Sequence, residues 1–114
     1  MKANTILAAS ILAVLLLIAS SPQRDSFEKI TVKEFELVDK SGKERATIKI
    51  EDSGEIVLRL RDSKGNVRVK VGASQDGSGL VLLNGDTNPG VHVLAKTAGS
   101  SISVYDAEGK KKDF

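Results

Sequence analysis

The chain of 114 residues has no cysteine, no tryptophan and one histidine, and aromatics make up only 4% of it. Each shortage closes a route. Without a thiol there is no disulfide framework, no thiolate metal site and no acylated lipoprotein cysteine. A metal site built on His92 would need carboxylates for all its other ligands, and a catalytic triad would have no other histidine to serve as base. No Gly-x-Ser-x-Gly elbow accompanies it. His92 therefore reads as a half-buried strand residue, and the chain as a non-enzyme with neither cofactor nor metal. Large aromatic residues usually fill a small domain's centre; here Val, Ile and Leu must do so. The balance of 17 basic against 15 acidic residues is too even to imply nucleic acid as a partner.

One stretch lacks charge altogether. Residues 3–20 carry none, and Ile6 to Ile18 is nearly all aliphatic, with Lys2 before it and Pro22, Gln23 and Arg24 after. Its 18 residues of helix would span about 27 Å, just short of a hydrocarbon core of about 30 Å. Signal cleavage needs small residues at −1 and −3. A cut after Ser21 would leave Pro22 behind the scissile bond, whereas cuts after Ser20 or Ala19 place Ile18 or Leu17 at −3. The expectation is a hydrophobic helix in residues 1–21 that anchors the chain in a membrane, a linker over 22–29, and a domain over 30–114 on the extracytoplasmic side. Removal of residues 1–21 as a signal, giving a secreted or periplasmic domain, is the alternative.

What fills the remainder is a repeat. Phe35-Glu-Leu-Val-Asp39, Leu58-Arg-Leu-Arg-Asp62, Leu80-Val-Leu-Leu-Asn84 and Ile102-Ser-Val-Tyr-Asp106 align with starts spaced by 23, 22 and 22 residues. A fixed period of that size marks a repeat architecture. Each unit stops at Asp or Asn, and units one, two and four meet a glycine three residues later: Gly42, Gly65 and Gly109. Asp bonds its own following backbone, and Gly accepts the positive φ of a tight hairpin. Asp52-Ser-Gly54, Asp76-Gly-Ser-Gly79 and Ala98-Gly-Ser-Ser101 supply turns between units. The pattern predicts an all-β antiparallel meander of hairpins of about 22 residues, with Ile30-Thr-Val32 opening the first strand. A parallel solenoid is the alternative, less favoured because connections of about four residues suit antiparallel neighbours.

Strict alternation also assigns faces. Phe35, Leu37, Ala46, Ile48, Ile50, Ile56, Leu58, Leu60, Val67, Val69, Val71, Leu80, Leu82, Val91, Val93, Ile102 and Val104 fall on one side, which is expected to be the inner one. No helix follows to cover them. A sheet with one oily side must roll into a β-prism or barrel-like form, fold into a sandwich, or meet copies of itself, because each buried Val, Leu or Ile is worth about 1.5–3 kcal/mol. The chain is thus expected to be a homo-oligomer.

The motif F-x-L-x-D-x-x-G-x-x-R-A, here Phe35-Glu-Leu37-Val-Asp39-Lys-Ser-Gly42-Lys-Glu-Arg45-Ala46, resembles short repeats found in many bacterial proteins, often exported and largely uncharacterised. The second unit matches it at Leu58, Leu60, Asp62, Gly65 and Arg68. The fourth matches with Lys112 in the arginine position. The third departs, with Asn84, Thr87 and Gly90 at the Asp, Gly and Arg positions. The resemblance implies extended β-structure, with trimeric fibre segments as one form. No activity comes with it.

Three clusters invite a chemical reading. Arg59, Arg61, Arg68 and Lys70 make a basic face on the second hairpin, either a solvated, aggregation-resisting surface or a site for envelope polysaccharide or lipid headgroups. Val81, Leu83, His92 and Leu94 make the third hairpin apolar on its outer side as well, as a local contact or an association patch. Asn84-Gly-Asp86-Thr-Asn88-Pro-Gly90 begins like a calcium loop but lacks its sixth-position glycine and its twelfth-position glutamate, so it reads as an Asx-rich turn. The functional expectation is a membrane-tethered structural or interaction module that self-associates. A secreted binder of anionic ligands is the alternative.

Overall fold

The structure, a computed structural model, describes residues 24–85 and 88–114. The expected N-terminal helix lies outside the described residues, and none of the described helices or strands is a helix able to cross a membrane. The chain divides into two units, Met1–Ile30 and Thr31–Phe114. Residues 24–30 of the first form no strand.

The second unit is one sheet. Its strands are β1 (Glu34–Val38), β2 (Glu44–Ile50), β3 (Ile56–Arg61), β4 (Val67–Ser74), β5 (Gly77–Leu83), β6 (Pro89–Lys96), β7 (Gly99–Tyr105) and β8 (Lys111–Asp113). They lie side by side in chain order as an eight-stranded meander. Every neighbouring pair is antiparallel, which rules out the parallel solenoid. β1 and β8 are the two ends of the strand order, so the sheet is open and does not roll into a barrel.

The period is explained by the turns. In each repeat the backbone N–H of the Asp or Asn bonds the carbonyl four residues on: Asp39 to Lys43 at 2.9 Å, Asp62 to Asn66 at 2.9 Å, Asn84 to Asn88 at 2.9 Å and Asp106 to Lys110 at 3.1 Å. The same side chain's Oδ1 accepts the returning N–H, from Lys43 at 3.1 Å, Asn66 at 3.0 Å, Asn88 at 3.2 Å and Lys110 at 2.7 Å. Asn84 does this work as well as an aspartate, because an amide oxygen accepts as a carboxylate does. Gly42, Gly65 and Gly109 take φ of 80°, 94° and 78°. Because strands alternate in direction, all four Asx turns gather at one end of the sheet.

At the other end two of the three turns are tighter than expected. Ser74 pairs with Gly77 and Lys96 with Gly99, leaving two-residue turns at Gln75-Asp76 and Thr97-Ala98. Gly79 and residues 99–101 therefore lie inside strands, since Gly77 and Gly99, at φ of 149° and 136°, complete the reversal early. The first strand also begins later, at Glu34 rather than Ile30. β2 ends at Ile50 and Glu34 already faces Lys49, so residues before Glu34 run past the end of their only neighbour.

Register makes the faces explicit. One ladder runs Phe35, Ile48, Leu58, Val71, Leu80, Val93, Ile102 across successive strands, and a second runs Leu37, Ala46, Leu60, Val69, Leu82, Val91, Val104. The expected inner face is in fact the exposed one: Phe35 is 47% exposed, Leu37 54% and Ile50 67%. Among the described residues no second layer covers it. On the apolar face the small Ala46 is the buried residue, whereas the most enclosed residues, Val57 at 2%, Ser103 at 3% and Thr47 at 4%, belong to the opposite face. There, long Arg, Lys and Glu side chains lie along the sheet and shield their shorter neighbours.

Candidate functional site

On the polar face a row runs Glu36, Thr47, Arg59, Lys70, Val81, His92, Ser103, Asp113, one residue from each strand. Arg59 and Lys70 stand directly opposite each other, where like charges repel. Carboxylates relieve this. Glu51, at the end of β2, accepts a hydrogen bond from Arg59 Nη1, and Lys49 lies 3.8 Å from its other oxygen. Arg61 Nε donates to Glu44 Oε1 at 2.6 Å, and Arg68 Nε lies 3.2 Å from Asp62 Oδ2. The structure thus brings Arg59, Arg61, Arg68 and Lys70 onto one face but pairs all three arginines with acids. Among the described residues, no carboxylate lies within ion-pair distance of Lys70.

The motif's arginine has a structural task. Arg45 reaches Asp39 Oδ2 at 3.6 Å and donates from Nε to the carbonyl of Arg61 at 3.1 Å, while Lys43 Nζ donates to the carbonyl of Ser63 at 2.8 Å. Neighbouring Asx turns are laced together this way. Asp, Gly and Arg of the repeat are all consumed in building turns.

Val81, Leu83, His92 and Leu94 are half-buried on the polar face. His92 packs edge-on to Tyr105, ring centroids 5.3 Å apart. Leu94 lies over Gly79, its cross-strand partner, so closely that a Cβ there would meet Leu94 Cδ2 at 2.8 Å. Glu55 likewise covers Gly72, the residue paired with Gly79. Leu94 thus fills the space left by Gly79, and Glu55 that left by Gly72. Among the described residues no group of three or more histidines and carboxylates could hold a metal; Asp86 and Thr87 of the Asx-rich loop lie outside them.

No protein-family model and no curated protein sequence matches this chain. The resemblance to exported short repeats therefore rests on residues 35–46 and their echoes, whose chemistry is that of turns.

The pairing of Arg61 with Glu44 does not follow from simple alternation. Counting outward from Ala46 opposite Leu60 sets Arg45, a like charge, opposite Arg61, and Glu44 follows the register shift between β1 and β2. Glu51 was harder to place, because a strand-end residue can turn to either face.

These contacts lower several carboxyl pKa values. At Asp39 the Ser41 hydroxyl contributes most, followed by the Lys43 N–H. The Arg59 hydrogen bond does so at Glu51, and the Ser103 hydroxyl at Asp113. At Asp62 partial desolvation pushes upward, but hydrogen bonds from Asn66 and Lys64 and the Arg68 charge leave the net shift downward. A folded-state pKa below the unfolded value means stability that is present above the unfolded value, about 4, and is lost as pH falls through the folded one. The urea midpoint is therefore expected to hold from pH 7 to about 5 and to fall below about 4. Asp62→Asn, which keeps the turn oxygen and removes the charge, should flatten that fall. An unchanged midpoint at pH 3 would contradict these assignments.

Proposed function

We propose that this chain is a non-catalytic assembly module, held on the extracytoplasmic side of a membrane by residues 3–20, whose working surface is the apolar face of the sheet. One observation carries the reading: two unbroken apolar ladders cross the sheet from Phe35 to Ile102 and from Leu37 to Val104, with side chains such as Leu60 and Leu82 still 40% and 38% exposed. Monomeric soluble proteins rarely leave a contiguous patch of this kind open to water. The polar face, in contrast, has matched most of its own charge. The rival reading, an anion binder using Arg59, Arg61, Arg68 and Lys70, would have to break the pairs to Glu51, Glu44 and Asp62.

The absence of cysteine makes a direct test available, since a single introduced thiol reports on its own surroundings. In membranes carrying the full-length chain, Val71→Cys on the apolar face is expected to react with a water-soluble maleimide roughly tenfold more slowly than Ser101→Cys on the polar face, as a site that must first open would. Equal rates would remove the apolar face as the working surface.

A further inference from the structure

We infer that the occupant of the apolar face is a second copy of this chain, laid face to face so that the two ladders become the inner layer of a two-layer β-structure. The inference rests on the apolar face being the working surface.

Area is the first ground. Eight strands about 4.8 Å apart, each with about six residues rising about 3.3 Å, present a face of about 34 Å by about 20 Å, roughly 700 Å² in projection and more once side-chain relief is counted. Stable interfaces take about 800 Å² from each partner. The whole face is needed, so the partner must be as broad and as flat as the sheet itself. Another copy of the sheet satisfies that requirement, and stacked sheets lie about 10 Å apart with their side chains interleaved.

Chemistry is the second ground. Within the two ladders, from Phe35 to Val104, no side chain can make a hydrogen bond. A glycan, a nucleic acid or an extended peptide laid there would leave its own polar groups unpaired in an apolar contact. A bilayer surface is also a poor match, because interfacial elements carry amphipathic aromatics and a basic rim beside their apolar side. Here Tyr105 lies on the opposite face with His92, and Lys112 alone extends the second ladder, at its edge. A matching apolar ladder is the partner that leaves nothing unpaired.

The sheet's edges are the third ground. Strand addition at an edge is the other route by which such sheets join, and β8 is built against it. Its three residues, Lys111, Lys112 and Asp113, are all exposed and charged. Short, lysine-bearing edge strands resist pairing with other chains. The β8 edge is thereby closed to strand addition, which leaves β1 and the apolar face as routes of contact.

Two differently tagged versions of the full-length chain, co-expressed and extracted from membranes in mild detergent, test this. Each is expected to co-isolate the other. Leu60→Glu with Leu82→Glu in both versions should abolish co-isolation, whereas Lys49→Glu with Ser101→Glu on the polar face should leave it intact. Leu82→Ser covers the case in which the double variant fails to fold, with strand content read by circular dichroism; it is expected to weaken co-isolation while retaining strand. Co-isolation that survives both apolar-face variants would place the contact elsewhere and overturn the inference. If the copies do not co-isolate although Val71→Cys remains protected, a different occupant covers the face: the inference fails and the reading of the face stands. If they do not co-isolate and Val71→Cys is as reactive as Ser101→Cys, both fail.

Discussion

Gly77→Ala is expected to cost this chain 3 kcal/mol or more, on the order of the largest single-residue losses, whereas Gly99→Ala should cost only about 1–2 kcal/mol. The two glycines occupy equivalent places, each at the start of a strand after a two-residue turn, with φ of 149° and 136°. Their surroundings differ. A Cβ at Gly77 would sit 2.0 Å from the carbonyl oxygen of Ala95 and 2.9 Å from Cα of Lys96, both backbone atoms of the adjoining β6. Nothing lies within 4 Å of a Cβ at Gly99. Backbone in a paired strand cannot yield as a flexible side chain can, so the first substitution must spread β5 from β6 while the second adds only conformational strain. Urea unfolding followed by circular dichroism measures both. Equal losses would mean that the β5–β6 contact is not this close.

The second large effect separates folding from association. Leu82→Lys replaces a residue 38% exposed in the single chain, so the long aliphatic stem can lie along the sheet and the ammonium can stay in water. In an isolated sheet the substitution should cost less than about 1 kcal/mol. Against a second sheet the same ammonium is buried without a partner, at about 3–5 kcal/mol, which is roughly 150-fold to several thousandfold in the dissociation constant. Arg59→Ala on the other face is the control. It breaks a partly exposed pair with Glu51, worth about 1 kcal/mol or less, and should leave association unchanged. The urea midpoint reads the cost to folding, and sedimentation as a function of concentration reads the change in association. A large loss of stability in Leu82→Lys with no change in association would reverse the account.

Local chemistry was the most legible part of this chain. Alternation over Leu58-Arg-Leu-Arg and Val67-Arg-Val-Lys assigned faces that the register reproduces, with Leu60 opposite Val69 and Arg59 opposite Lys70. The Asp-x-x-Gly turns follow from what one carboxylate and one positive φ can do, and Asn84 shows that the oxygen matters more than the charge. Features set by neighbouring strands were less legible. Ile30 and Val32 have strand-like composition, but a strand needs a partner, and β2 has ended before they begin. Gly79 and the glycine-serine run at 99–101 look like loop, yet the tight turns before them return the chain to the sheet at once. The basic hairpin face looked like an anion site because Arg59, Arg61 and Arg68 are close in sequence, while Glu44 and Glu51 arrive from a different strand. An oily face without a lid was visible from the start. Its openness belongs to the same fact, since the described residues between Thr31 and Phe114 form one sheet and no second layer.

The measurement that bears most directly on this account is the mass of the purified full-length chain in solution, by light scattering with the detergent contribution subtracted. A particle of at least two copies that dissociates on dilution, and that binds an apolar dye only when dissociated, is the predicted result. A single copy at every concentration with no dye bound would show a face that needs no cover, and would contradict it.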